Sequence, residues 1–164
     1  MNQPSPEISI RPAANTDAPQ LARLLAGIGW FSGLQEMTLE ELETSVRAHL
    51  EVLTATADCT TLVAEALDGS IVGYCGVHWL HELFMPGPEG YLSELFLLPE
   101  ARGKGLGTAL LDRIVAEAEE RGAYRLMLLN GKHRESYERG FYTKQGWEER
   151  EGMANFVYWV GKPR

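Results

Sequence analysis

"ELFLLPEARGKGLGTALL", Glu94 to Leu111, is the stretch on which the fold turns. Its beginning continues "YLSELFLL" (Tyr91 to Leu98), a strand-like run whose unbroken apolar end predicts burial on both faces. From Leu106 onward, Leu106, Leu110, Leu111, Ile114, Val115 and Ala118 recur at helical spacing, and Gly122 closes that helix. Between strand and helix lies "RGKGLG", Arg102 to Gly107, with three glycines and two cations.

Two glycine-loop chemistries fail on spacing. A Walker A loop needs a glycine five residues before its Gly-Lys pair and Ser or Thr after it. Gly103-Lys104 has no such glycine and is followed by Gly105. A dinucleotide fingerprint needs glycine at its sixth position. Counting from Gly103 that position is Thr108, and from Gly105 it is Leu110. What remains is R-x-x-G-x-G: Arg102, Gly105 and Gly107. Glycines let a backbone approach closely and aim successive N–H groups at one spot. A helix N-terminus adds roughly half a positive charge, and Arg102 and Lys104 add whole ones. The set suits a pyrophosphate; a plain strand-to-helix turn with surface charges is the alternative.

Working outward, "ISIR" (Ile8 to Arg11) reads as a short strand. "NTDAPQLARLLAGI" reads as a helix capped by Asn15 or Thr16, with an apolar face of Leu21, Leu24, Leu25 and Ile28. Thr38 and Glu41 form a capping box ahead of a second helix bearing Leu42, Val46 and Leu50. Thr60 to Leu67 and Ser70 to Leu80 read as strands joined at Asp68-Gly69, a hairpin signal. Tyr124 to Asn130 is a further strand, "HRESYERGFYTKQ" a helix ended by Gly146, and "WEEREGMANFVYWV" a final pair of strands. Alternating strands and helices in the second half imply parallel pairing with right-handed crossovers, and the hairpin makes the sheet mixed. The expected fold is α/β (α+β): one mixed sheet of six or seven strands flanked by about four helices.

At 164 residues the chain fits one domain, and no repeat or linker divides it, so residues 1–164 are expected to form a single domain. A net charge of −8 argues against general nucleic-acid binding and mildly favours cationic small molecules. Cys59 and Cys75, with no CxxC or Cys/His cluster, point to a reducing cytoplasm rather than a disulfide scaffold. His78 and His81 form H-x-x-H but lack a third ligand, which points away from a metal. "MNQPSPEISIRP" lacks the basic and apolar regions of a signal peptide, and no run approaches the ~20 apolar residues of a membrane span.

"ELFLLPEARGKGLGTALL" and "FYTKQGW" (Phe141 to Trp147), in this order, together resemble the GCN5-related N-acetyltransferase (GNAT) superfamily. "IRPAANTDAPQLARLL" is similar to that family's first strand and helix. The resemblance implies splayed central strands and acetyl-CoA as donor, with no metal. Arg102, Gly103, Lys104, Gly105, Leu106, Gly107 and Thr108 would wrap the pyrophosphate, and the exposed backbone of Leu95, Phe96, Leu97 and Leu98 would pair with the pantetheine arm. Asn130 would touch that arm or a water, and Lys144 would reach the 3′-phosphate.

The implied reaction is direct attack of a primary amine on the acetyl thioester through a tetrahedral intermediate. A strand N–H near Leu95 or Phe96 is the candidate oxyanion donor. Tyr142, whose ordinary pKa of about 10 exceeds that of a thiol, is the candidate acid for the leaving thiolate. Glu94, partly desolvated in its strand, is the candidate base, directly or through water, with a histidine or a water chain as alternatives. The acceptor is expected to be a small molecule held by Trp30, Phe31, His81, Glu82 and Phe84, with Glu82 or Glu89 facing its charge. A protein N-terminus or lysine is the alternative acceptor, and a non-catalytic acyl-CoA-binding module the alternative class. Gly140 departs from the family's usual pattern; as a mid-helix glycine it would imply close packing against the cofactor or a neighbouring chain, a homodimer being one arrangement. Neither nucleic acid nor membrane is an expected partner.

Overall fold

The chain was described from a computed structural model, which covers residues 8–29, 36–158 and 160. Strands β1 (Ser9–Pro12), β2 (Cys59–Glu65), β3 (Ile71–Leu80), β4 (Glu89–Leu97) and β5 (Arg125–Leu128) form one sheet in chain order. The first four pair antiparallel and β5 joins β4 in parallel, so the sheet is mixed as expected. The helices are α1 (Ala18–Ile28), α2 (Leu39–Thr54), α3 (Leu106–Glu120) and the single turn α4 (Glu135–Glu138).

The chain divides into two compact units, Met1–Leu129 and Asn130–Arg164. The first holds the whole sheet and α1 to α3. On one face, Val63 and Tyr74 pack into a core with Leu21, Leu24, Leu42, Val46 and Leu50 of α1 and α2. The opposite face meets α3: Thr60 Oγ1 donates to Glu117 Oε1 at 2.6 Å, and Arg121 lies 4.7 Å over the Trp79 ring. Alternation of side chains along each strand makes both layers from one sheet. No helix among the described residues is long and apolar enough to cross a membrane.

Local signals explain most boundaries. Glu41 N donates to Thr38 Oγ1 at 3.2 Å and Thr38 N to Glu41 Oε2 at 2.7 Å, the expected capping box of α2. At α1 the expected Asn15 or Thr16 cap gives way to a 3₁₀ turn over Asn15–Asp17. The buried Asp17 carboxylate instead accepts from Ala14 N at 2.8 Å and takes both Nη atoms of Arg11 at 2.8 and 2.9 Å. The Arg11 hydrogen bond holds the Asp17 carboxyl below its usual range.

The sheet has five strands among the described residues, not six or seven. Trp147 to Tyr158 forms no strand, and Met153, Phe156, Val157 and Tyr158 are exposed. Four consecutive charges, Glu148 to Glu151, and then Gly152 interrupt the period of two that a half-buried strand requires. "HRESYERGFYTKQ" is likewise not one helix. Gly140, at φ 63°, ends α4: its N–H reaches Tyr137 O and the next N–H, from Phe141, reaches Ser136 O, each at 2.9 Å. Gly140 is therefore a helix stop, and the interior packing role expected of it falls away. A separate 3₁₀ turn over Thr143–Gln145 follows, ended by Gly146 at φ 82°.

Gly90 marks where β4 meets β5. A Cβ there would lie 2.4 Å from Leu126 Cδ2 and 2.7 Å from Trp79 Cζ3. Gly90→Ala is expected to lower stability by about 1–3 kcal/mol through overpacking. Urea unfolding checks this; an unchanged midpoint would contradict the packing.

Candidate active site

The site begins where two strands part. β5 pairs with β4 only from Glu89 to Leu92. On the other side, Val77 pairs with Leu92 and Gly76 with Glu94, so Ser93 is an extra residue and forms a bulge. Beyond it, β4 keeps β3 as neighbour but has no strand on its other edge among the described residues. Leu98 N donates to Val72 O at 2.9 Å. In an antiparallel ladder, alternate residues face the same neighbour. Phe96 therefore also turns its backbone to β3, while Leu95 and Leu97 turn their N–H and C=O groups to the open edge. Leu95 to Leu98 are half-buried rather than enclosed on both faces. The missing neighbour is the reason.

That edge leads into the glycine turn. Gly103 and Gly105 adopt φ 72° and 81°, the left-handed region that favours glycine, with open space where a Cβ would stand. Gly105 caps α3 without a side-chain cap bond, and the first bond of the helix runs from Ala109 N to Gly105 O at 2.9 Å. The N–H groups of Gly105, Leu106 and Gly107 lie ahead of that bond, where no carbonyl of the helix can reach them. Lys104 is exposed. Arg102 turns back, its Nε donating to Leu97 O at 3.2 Å, which ties the turn to the open edge.

Glu94 stands on the sheet face that meets α1 and α2. A cavity of about 520 Å³ lies over it, walled on the helix side by Leu21, Leu25, Val46, Leu50, Val52 and Leu53. Its polar end combines Glu94 with Tyr74, His78, His49, Thr61 and Ser93. Burial pushes the Glu94 carboxyl above its usual range, opposed by the Tyr74 hydroxyl hydrogen bond and by the His78 and His49 imidazoles. Burial, and next the charge of Glu94, push the Tyr74 hydroxyl up, so it stays protonated as a donor. A Cβ on Gly76 would sit 3.1 Å from Glu94 Oε2, so glycine leaves the carboxylate its room. His78 Nδ1 lies 3.3 Å from Cys59 Sγ.

In the second unit, Tyr142 is half-buried, its ring edge-on to Phe141 at 4.9 Å and to Trp147 at 6.0 Å. Burial pushes its hydroxyl up to about 12. Asn130 Oδ1 accepts from Ser136 Oγ at 3.2 Å, and Lys144 is exposed on the 3₁₀ turn. Tyr137 donates to Glu149 Oε2 at 2.8 Å beside Lys132.

The expected acceptor residues do not converge. His81 faces Asp58 at 3.9 Å, and Phe84 is 79 % exposed. Neither these nor Glu82 lines the Glu94 cavity. Glu89 is buried and ion-paired to Arg125, its β5 partner, so it is spent on strand pairing. Trp30 and Phe31 lie outside the described residues. His49 and Tyr74 were the residues missed. The spacing of Tyr74, Gly76 and His78 by two puts them on one face of β3, but only the register with β4 brings them to Glu94.

The description "Acetyltransferase (GNAT) family" belongs to a family model that matches residues 30–147. The chain is 28 % identical over 149 residues to an uncharacterized N-acetyltransferase, YhfO, of Bacillus subtilis, covering 91 % of this chain and 95 % of that one. It is 28 % identical over 152 residues to an aminoglycoside N(6')-acetyltransferase type 1 of Stenotrophomonas maltophilia, covering 90 % and 91 %. A crystal structure of a transcriptional regulator from Bacillus halodurans C-125 shares the fold, with a TM-score of 0.78 at 22 % identity, over 93 % of this chain and all of that one.

Because the Tyr74 hydrogen bond favours the charged form of Glu94, Tyr74→Phe is expected to raise the Glu94 pKa further. Titration of the ¹³C-labelled carboxyl by NMR measures this; a lowered or unmoved midpoint would refute the contact.

Proposed function

The chain belongs to the acetyltransferase (GNAT) family, and from that premise we propose that it moves an acetyl group from acetyl-CoA to a primary amine of a small molecule. One observation carries the proposal: the β4 edge freed after Leu92 leads, through a single 3₁₀ turn over Pro99–Ala101, into the glycine turn that opens α3. The edge groups of Leu95 and Leu97 suit the amides of a pantetheine arm. The N–H groups of Gly105, Leu106 and Gly107, with Lys104 and Arg102, suit a pyrophosphate. That a relative is named for aminoglycosides supports a small-molecule amine. The unpaired thiols of Cys59 and Cys75 accord with a reducing cytoplasm.

Acetyl-CoA supplies an activated acetyl thioester. The residues of the chain do the rest. Glu94, raised toward the range of a useful base, takes a proton from the amine, directly or through water, as the N–C bond forms. The Leu95 N–H donates to the carbonyl oxygen as it gains charge, a role that the strand alternation supports for Leu95 rather than Phe96. As the C–S bond breaks, Tyr142 gives its proton to the sulfur and regains one from solvent. The hydroxyl carries that proton at neutral pH, and because burial pushes its pKa up, the transfer depends on charge building on the sulfur. The products are an N-acetyl amine and the free thiol of coenzyme A.

Thiol release from acetyl-CoA across a panel of amines tests the proposal. Saturable binding without turnover on any acceptor would favour a binding module. Arg102→Ala with Lys104→Ala is expected to weaken coenzyme A binding about 10- to 100-fold, as two charge-assisted contacts are lost; calorimetry showing unchanged affinity would refute the cradle. Glu94→Gln and Tyr142→Phe are each expected to lower kcat by about 10²–10⁴ with coenzyme binding near normal. In the parent, kcat/KM is expected to fall as pH drops through the raised Glu94 pKa, because only the ionised carboxylate accepts a proton. Glu94→Gln should remove that acid limb, and a limb that persisted would assign the base elsewhere.

A further inference from the structure

We infer that the cavity over Glu94 receives the acceptor and that it selects a monoamine with an apolar body over a diamine or polycation. This rests on the acetyltransferase reading and narrows its substrate. The side chain of Glu94 rises from the sheet into the cavity, while the next residue, Leu95, turns its N–H to the open edge in the plane of the sheet. An amine standing over Glu94 is thus one residue away from the N–H that would face the acetyl oxygen. Gly76 leaves the approach to the carboxylate clear.

The walls decide the class. About 520 Å³ admits a small molecule. One end offers a carboxylate, hydroxyls and two imidazoles, one of them His49 of α2; the rest of the wall that α1 and α2 supply, the other end, is leucine and valine. Among the described residues that line the cavity, Glu94 is the only acid. One ammonium can therefore meet a counter-charge. A second, carried into the leucine end, would lose its water and find no partner, a cost that buried charges do not recover without pairing. Apolar carbon in that place gains instead by leaving water. Polyhydroxylated polycations fail on both counts.

Hexylamine and cadaverine test this, since they have equal chain lengths and differ in a terminal methyl against a second ammonium. The full chain is assayed for kcat/KM with each, and with kanamycin. Hexylamine is expected to exceed both by about 100-fold or more. Val52 lines the cavity but is 69 % exposed on α2, so Val52→Glu adds an acid at the rim without opening the core. That variant is expected to raise the cadaverine-to-hexylamine ratio at least about tenfold. A parent that prefers cadaverine or kanamycin, or a ratio that Val52→Glu leaves unmoved, would overturn the inference.

Binding is read separately from turnover. Hexylamine should shift the His49 and His78 imidazole resonances and the Leu53 methyls, and no shift at saturating amine would overturn the cavity assignment. Shifts without acetyl transfer would leave the cavity assignment standing and overturn the catalytic reading instead.

Discussion

Among the described residues, β4 has two neighbours for four residues and one neighbour thereafter. That loss of pairing is the constraint on which the site depends. A strand edge without a partner leaves N–H and C=O groups in want of one, an arrangement that natural sheets usually cover or blunt. Here the bulge at Ser93 sets the parity of the residues that follow, so that Leu95 and Leu97 face outward. At the far end of that edge, Arg102 reaches the Leu97 carbonyl. An extended ligand with amides of its own would complete the ladder.

The same strand serves two directions at once. Its backbone addresses the open edge, and its Glu94 and Phe96 side chains address the layer of α1 and α2. Donor and acceptor can therefore approach along perpendicular lines that cross near residues 94 and 95. Desolvation by the helix layer raises the Glu94 carboxyl, while Tyr74 and the two histidines restrain that rise. A carboxylate wholly buried and unpartnered would simply stay protonated and lose its value as a base.

Much of this was legible in the sequence because it is local. The capping box at Thr38 and Glu41, the Asp68-Gly69 hairpin and the glycine turn each depend on residues a few positions apart, and each stands where it was expected. What stayed hidden depends on pairing at a distance. Glu89 resembled a free loop acid until its register partner, Arg125, was known. His49 belonged to the same helical run as Leu42, Val46 and Leu50, with nothing local to show that it borders Glu94. The C-terminal "ANFVY" (Ala154 to Tyr158) carried strand-forming residues, yet a strand also needs a neighbour, and composition cannot supply one. Gly140 reads as interior to its helix in the sequence; its positive φ puts it at the terminus.

The most direct test of the account is backbone amide exchange, measured by NMR on the full chain with and without saturating acetyl-CoA. Exchange is predicted to slow at Leu95, Leu97, Gly105, Leu106 and Gly107, and to change little at Phe96 and Leu98, whose N–H groups already face β3. Protection confined to Phe96 and Leu98, or absent from both β4 and the glycine turn, would contradict it.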